Sequence, residues 1–240
     1  MPHLELSTTD VVDSRGSRPL PVFEAQGRTI RDLPPDQTFG RLASDILPGY
    51  LMERRWYAAK DAGVPHVGIA NSISLAPGDD ALILILDVTP ERQPSRKYLL
   101  PVSILWDAEA PASAILAEVQ HASSRGVLVD AFADDRFIRG VLARIATDEG
   151  TEGGEAPILV FRRSASLNAR RMTAASTIER RTGEQSNTSV RIGGLMLKGF
   201  RRLEGGIHPE LEIGRFLTEV AGFKNAPALL GSVELAATAG

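Results

Sequence analysis

An α+β fold built mainly from antiparallel strands is predicted for this 240-residue chain, and three observations carry the expectation. Between residues 66 and 106 lie three β-branched and leucine-rich runs, "HVGIANSISL", "DDALILILDVTP" and "KYLLPVSILWD", separated by the turn-forming stretches "APGDD" and "PERQPSRK". Gly193 and Gly194 sit side by side between two alternating runs, a strong signal for a two-residue hairpin. Two other stretches, "DDRFIRGVLARIAT" and "HPELEIGRFLTEVAGF", carry start and stop signals of helices.

Composition narrows the classes. Hydrophobic residues make up 43% and charged residues 24%, the balance of a globular domain that can bury a sizeable core. The absence of cysteine excludes disulfides, thiolate metal sites and a cysteine nucleophile. No basic start followed by an apolar run and a small-residue cleavage site opens the chain, so a cytoplasmic protein is expected. The longest apolar run, "ALILILDV", has the length of a strand rather than the roughly 20 residues of a membrane span.

Taken in order, residues 1–40 are rich in Pro, Gly, Ser, Asp and Arg, with one alternation at "LPVFEA". They read as an extension of low order or an added strand. Phe39, Leu42, Ile46, Leu51 and Trp56 follow at broadly helical spacing, interrupted by Pro48-Gly49, which predicts a short helix, a turn and a second short helix closed by Gly63. The three strands come next as an antiparallel meander. The middle one is apolar on both faces, Leu82, Leu84 and Leu86 against Ile83 and Ile85, and reads as a central strand covered on both sides.

"GVLVDAF" predicts a further strand. The helix after it is capped by Asp134 or Asp135 and presents Phe137, Ile138, Val141, Leu142 and Ile145 as its apolar stripe. "DEGTEGGEAP" is a linker or turn, "ILVFRRS" a strand, and "LNARRMTAASTIERRTG" only strand-like in its pattern.

Charge is unevenly placed. Residues 162–202 hold ten Arg/Lys against two acids, leaving 17 basic and 28 acidic residues in the rest of the chain. A field of this kind suits an anionic partner, a polyphosphate or a nucleic acid; solvated strand-edge arginines are the plain alternative. Nucleic acid is the weaker of the two partners, because Phe200 is the one aromatic interleaved with these charges.

The glycine pair sets the hairpin register: Ile192 opposite Leu195, Arg191 opposite Met196, Val190 opposite Leu197, Ser189 opposite Lys198. Val190, Ile192, Leu195 and Leu197 then share one face, and Asn187, Ser189, Arg191, Met196 and Lys198 the other. Ahead of it, "GEQSNTS" is a turn of small polar residues whose backbone N–H groups could reach a phosphate, with Lys198 supplying a point charge. A surface hairpin with a polar outer face fits the same pattern. The helix that follows starts at Pro209, has acids in its first turn, presents Ile213, Phe216, Leu217 and Val220 as a stripe expected to be buried, and stops at Gly222. A strand lysine followed by an acid on the next helix is the arrangement by which protein kinases orient a phosphate-holding lysine. Glu210 and Glu212 flank the stripe, one on each side.

"GEQSNTSV", the lysine in "LMLKGFRRLEGG" and "HPELEIGRFLTE" together resemble the ATP-binding N-lobe of actinobacterial maltokinases, including the form fused to trehalose synthase, and "LPGYLMERRWYAAKDAG" resembles the start of that family's N-terminal cap. The resemblance implies an antiparallel-sheet cap subdomain over residues 41–125, then an intermediate region and a protein-kinase-like, aminoglycoside phosphotransferase-like N-lobe over 126–240. It implies transfer of the γ-phosphate of ATP, with Mg²⁺, to the anomeric hydroxyl of maltose in trehalose and α-glucan metabolism. Carried over by position, Gln185, Ser186, Asn187, Thr188 and Ser189 would cover the phosphates, Lys198 would contact them, and Glu212 would be the helix partner of Lys198. Trp56 and Lys60 would serve packing and cap structure. The catalytic aspartate and metal ligands of such kinases belong to a C-terminal lobe; no residue here is expected to replace them, and phosphotransfer by this chain alone is not expected. A glucosamine kinase-like relative, or a non-catalytic module docking on trehalose synthase or a complementary kinase lobe, is the alternative.

Overall fold

The computed structural model describes residues 20–75, 80–148, 158–167, 176–180 and 187–236. The expectation for residues 1–40 falls partly outside the described residues; within 20–40, β1, Val22–Glu24, pairs in parallel with a strand described below. Phe23, Ile30 and Leu33 are buried, and the Ile30 N–H donates to Asp80 Oδ1 at 2.6 Å, so this segment is fastened into the core.

The region around Pro48 departs from the expected helix, turn and helix. Helix α1, Pro35–Arg41, runs through one wide turn, Leu42–Ile46, into α2, Leu47–Glu53. Pro48 falls in the first turn of α2, where a missing N–H leaves no bond unmade, so the proline is absorbed rather than breaking the chain's helical course. Gly63 ends the short turn Lys60–Ala62 at φ +87°, as its position predicts.

The meander is present as β2, His66–Ser74, β3, Ala81–Thr89, and β4, Arg96–Trp106, paired antiparallel in that order. Two further strands, β5, Ile115–His121, and β6, Ser124–Asp130, complete the sheet order β1-β5-β6-β4-β3-β2. The β5 strand goes beyond the sequence reading; "AILAEVQH" is short and flanked by alanines, and its partners are what fix it. β3 lies second from an edge rather than at the centre. Its two apolar faces are nevertheless both covered: Leu84 and Leu86 join one core with Leu47, Leu51 and Trp56, while Ile83 and Ile85 join another with Ile138 and Phe161. Burial on both faces follows from the layers above and below.

Helix α3, Asp135–Thr147, is capped by Asp134, whose carboxylate accepts from the Arg136 N–H at 2.8 Å. Phe137, Ile138, Val141 and Ile145 are buried against the sheet, as the stripe predicts. Downstream lie β7, Ile158–Arg163, and β8, Ile178–Arg180. The hairpin follows as β9, Thr188–Ile192, and β10, Leu195–Gly199, giving a second sheet ordered β10-β9-β8. The short β11, Arg202–Leu203, returns to pair with β4 of the first sheet. Helix α4, Pro209–Arg215, continues as a wide turn to Val220, and β12, Gly231–Ala236, pairs with β7.

The stripe of this last helix is a correction. Ile213, Phe216 and Val220 are exposed rather than buried, and Phe223 just beyond is exposed as well. Helical periodicity identifies an apolar face but does not say that the described chain supplies its cover.

Candidate functional site

The hairpin register is the one its glycines predict: Leu195 opposite Ile192, Met196 opposite Arg191, Leu197 opposite Val190, Lys198 opposite Ser189. Only Gly193 of the pair has a positive φ, +55°, so the turn needs one left-handed position and not two. Val190, Ile192 and Leu195 are buried on the inner face, while Arg191, Met196 and Lys198 are exposed on the outer one. Strand alternation thus places Lys198 and Ser189 side by side. The Ser189 hydroxyl donates to Asn187 Oδ1 at 2.8 Å, fixing a buried amide at the entry of β9. Gln185 and Ser186 lie outside the described residues.

Lys198 Nζ donates to Glu210 Oε2 at 2.7 Å. The carboxylate at the lysine is therefore that of Glu210 and not that of Glu212, the partner carried over from the resemblance. Two positions along a helix rotate a side chain by roughly 200°, so both acids cannot face the same strand residue. The entry to α4 decides which does. His208 caps the helix, its Nδ1 accepting from the Glu210 N–H at 3.2 Å, and its ring stacks on Phe200 with centroids 3.8 Å apart. This ties the first turn of α4 to the end of the hairpin and turns Glu210 toward Lys198. Glu212 is exposed; its own N–H bonds the His208 carbonyl.

Behind the hairpin is a network that sequence reasoning missed. Arg201 is 1% exposed, and its guanidinium donates from Nη2 to Asp130 Oδ2 at 2.7 Å and from Nε to Thr188 Oγ1 at 3.0 Å. The Tyr50 hydroxyl donates to the same Asp130 oxygen at 2.8 Å, and the Phe132 N–H donates to Oδ1. The guanidinium also lies over the rings of Phe132 and Trp56, at 4.4 and 5.2 Å from their centroids. Burial, and then the neighbouring carboxylate of Asp130, push the Tyr50 phenol well above its ordinary range. The one signal available in sequence was the aspartate in the otherwise apolar "GVLVDAF", since a buried carboxylate needs partners.

Among the described residues of the basic segment, the positive charges are paired. Every described Arg or Lys between 162 and 202 meets an acid: Arg162 and Glu234, Arg163 and Asp148, Arg180 and Asp135, Arg191 and Glu179, Arg202 and Glu204, besides Lys198 and Arg201. An open groove of about 710 Å³ between α4 and the β7/β12 pair mixes Arg162, Arg163 and Arg215 with Glu219 and Glu234; neither Lys198 nor Asn187 lines it. Among the described residues, no group of three His, Asp or Glu side chains is placed to hold a metal ion. No described helix is long and apolar enough to cross a membrane.

One comparison with known proteins bears on these residues. Residues 50–134 match the family model described as the maltokinase N-terminal cap domain. The match overlaps residues 41–125, the stretch over which the resemblance implies a cap-like subdomain. The matched residues include Tyr50, Trp56 and Asp130, whereas Thr188, Lys198 and Arg201 lie outside them.

Proposed function

From a chain that carries a maltokinase N-terminal cap domain, we propose the N-terminal part of an ATP-dependent sugar kinase, with the outer face of the β9/β10 hairpin as one half of its nucleotide site. The observation that carries the reading is Lys198: a strand lysine beside Ser189, oriented by a carboxylate from the first turn of the next helix. In this reading Lys198 holds ATP phosphates, and the turn from Gln185 to Ser189 covers them with backbone N–H groups. Maltose is the acceptor the family match favours, with maltose 1-phosphate as product; a glucosamine-type acceptor is the alternative. Mg²⁺ would neutralise the phosphates, and the base and metal ligands belong to a further lobe.

Titration calorimetry of the 240-residue chain with MgATP tests this reading, with Lys198→Met as the control. Binding that Lys198→Met weakens about tenfold supports it, and no detectable binding overturns it. Maltose-dependent ADP release by the chain alone would overturn the assignment of catalysis to another lobe.

The exposed face of α4 favours a second, non-catalytic reading, in which the chain docks on a complete kinase or a trehalose synthase. A monomer in light scattering that ignores both enzymes would dispose of it.

A further inference from the structure

We propose that the Asp130–Arg201 pair is a latch through which the cap domain positions the hairpin, making Tyr50 and Asp130 positioning residues for the face that carries Lys198. The inference rests on the reading of that face as a phosphate site, but its geometry stands apart from any ligand.

Three facts make the pair more than packing. First, it bridges two sheets: Asp130 ends β6 of the first sheet, Thr188 begins β9 of the second, and one guanidinium bonds both. Second, the backbone follows the same bridge. The Arg201 carbonyl accepts from the Leu99 N–H at 2.6 Å, and Arg202 and Leu203 pair with Tyr98 and Lys97, so the chain leaving the hairpin is laid along β4. Third, the pair is buried, with side chains 1% and 8% exposed, where a charge without its partner is strongly disfavoured. A planar fork serves both acceptors at once, which a lysine ammonium does not reproduce. Release at Asp130 therefore frees Thr188, and with it the strand whose next residue stands opposite Lys198.

Amide hydrogen exchange on the full chain tests the latch, using Tyr50→Phe and Thr188→Val, each of which removes one hydrogen bond, and Thr188→Ser, which keeps it. Val119→Ala, a buried substitution in the first sheet away from the network, reports on general loosening. Both network variants should speed exchange at residues 188–199 about tenfold relative to β2 and β3, with Thr188→Ser near wild type. Val119→Ala should loosen the first sheet without that selectivity. The latch is overturned if exchange at 188–199 rises no more in Tyr50→Phe and Thr188→Val than in Val119→Ala. Arg201→Lys should behave like Thr188→Val; wild-type protection in that variant would also overturn it. MgATP titration of the same proteins separates the two readings. A wild type that binds no ATP removes the phosphate site and leaves the exchange result to judge the latch.

Discussion

Lys198 and Glu210 meet across the gap between a strand and a helix, with Nζ and Oε2 2.7 Å apart and both side chains about half exposed. An ion pair so open to water contributes little to stability, about 0–1 kcal/mol. It serves orientation better than anchoring. Lys198→Met and Glu210→Gln should each shift the urea midpoint by no more than that stability corresponds to, while both weaken MgATP binding. Glu212→Gln should leave the lysine's surroundings unchanged, and a side-chain ammonium resonance of Lys198 that moves in Glu210→Gln but not in Glu212→Gln would check the assignment.

The hairpin glycines have unequal duties. Gly193 sits at φ +55° with Ser176 close to where a Cβ would lie, whereas no described residue lies within 4 Å of a Cβ at Gly194. Gly193→Ala should cost about 1 kcal/mol and Gly194→Ala only a few tenths in chemical denaturation. Gly199 differs from both: a Cβ there would run into the Phe132 ring, one of the two aromatics over Arg201. Gly199→Ala should therefore cost about 1–3 kcal/mol through overpacking, although its φ is ordinary for a strand.

What the sequence made legible follows local rules. A two-glycine turn sets the register of β9 and β10, and period-two alternation sets their faces, because both are decided within a dozen residues. The Asp134 cap and the α3 stripe are legible for the same reason. Contacts between distant segments are not. Nothing in "GFRRL" distinguishes Arg201, which is buried, from Arg202, which is exposed, because the difference lies in Asp130, 71 residues earlier. The choice between Glu210 and Glu212 likewise depends on where His208 docks against Phe200. The expected burial of Ile213 and Phe216 fails because periodicity cannot name the surface that would cover them.

That exposed face has a consequence for mutagenesis. Phe216→Ser and Val220→Ser remove apolar area that is already in water, so each should change the stability of this chain by no more than about 0.5 kcal/mol. Ile138→Ala, on the buried stripe of α3, should cost about 2–5 kcal/mol. Urea unfolding of the three variants side by side checks the contrast. A loss at Phe216 approaching that at Ile138 would mean that the α4 face is covered in solution.

The tyrosines offer a test on the alkaline side. The chain has three, Tyr50, Tyr57 and Tyr98, and all three are buried, with burial the main cause that raises each phenol above its ordinary value of 10.0. Below pH 10 the phenols are protonated in both the folded and the unfolded chain, so their contribution to stability is fully present. Above it the unfolded chain gives up these protons first, and stability falls as the pH climbs toward the raised folded values. Phenolate absorbance of the folded protein should therefore stay flat through pH 10 and rise in one step with alkaline unfolding, as followed by circular dichroism. Tyr50→Phe should lessen the stability lost between neutral and alkaline pH, even though it lowers stability at neutral pH by removing the hydroxyl from Asp130. A phenolate titrating near pH 10 while the fold is intact would place at least one of these rings in water.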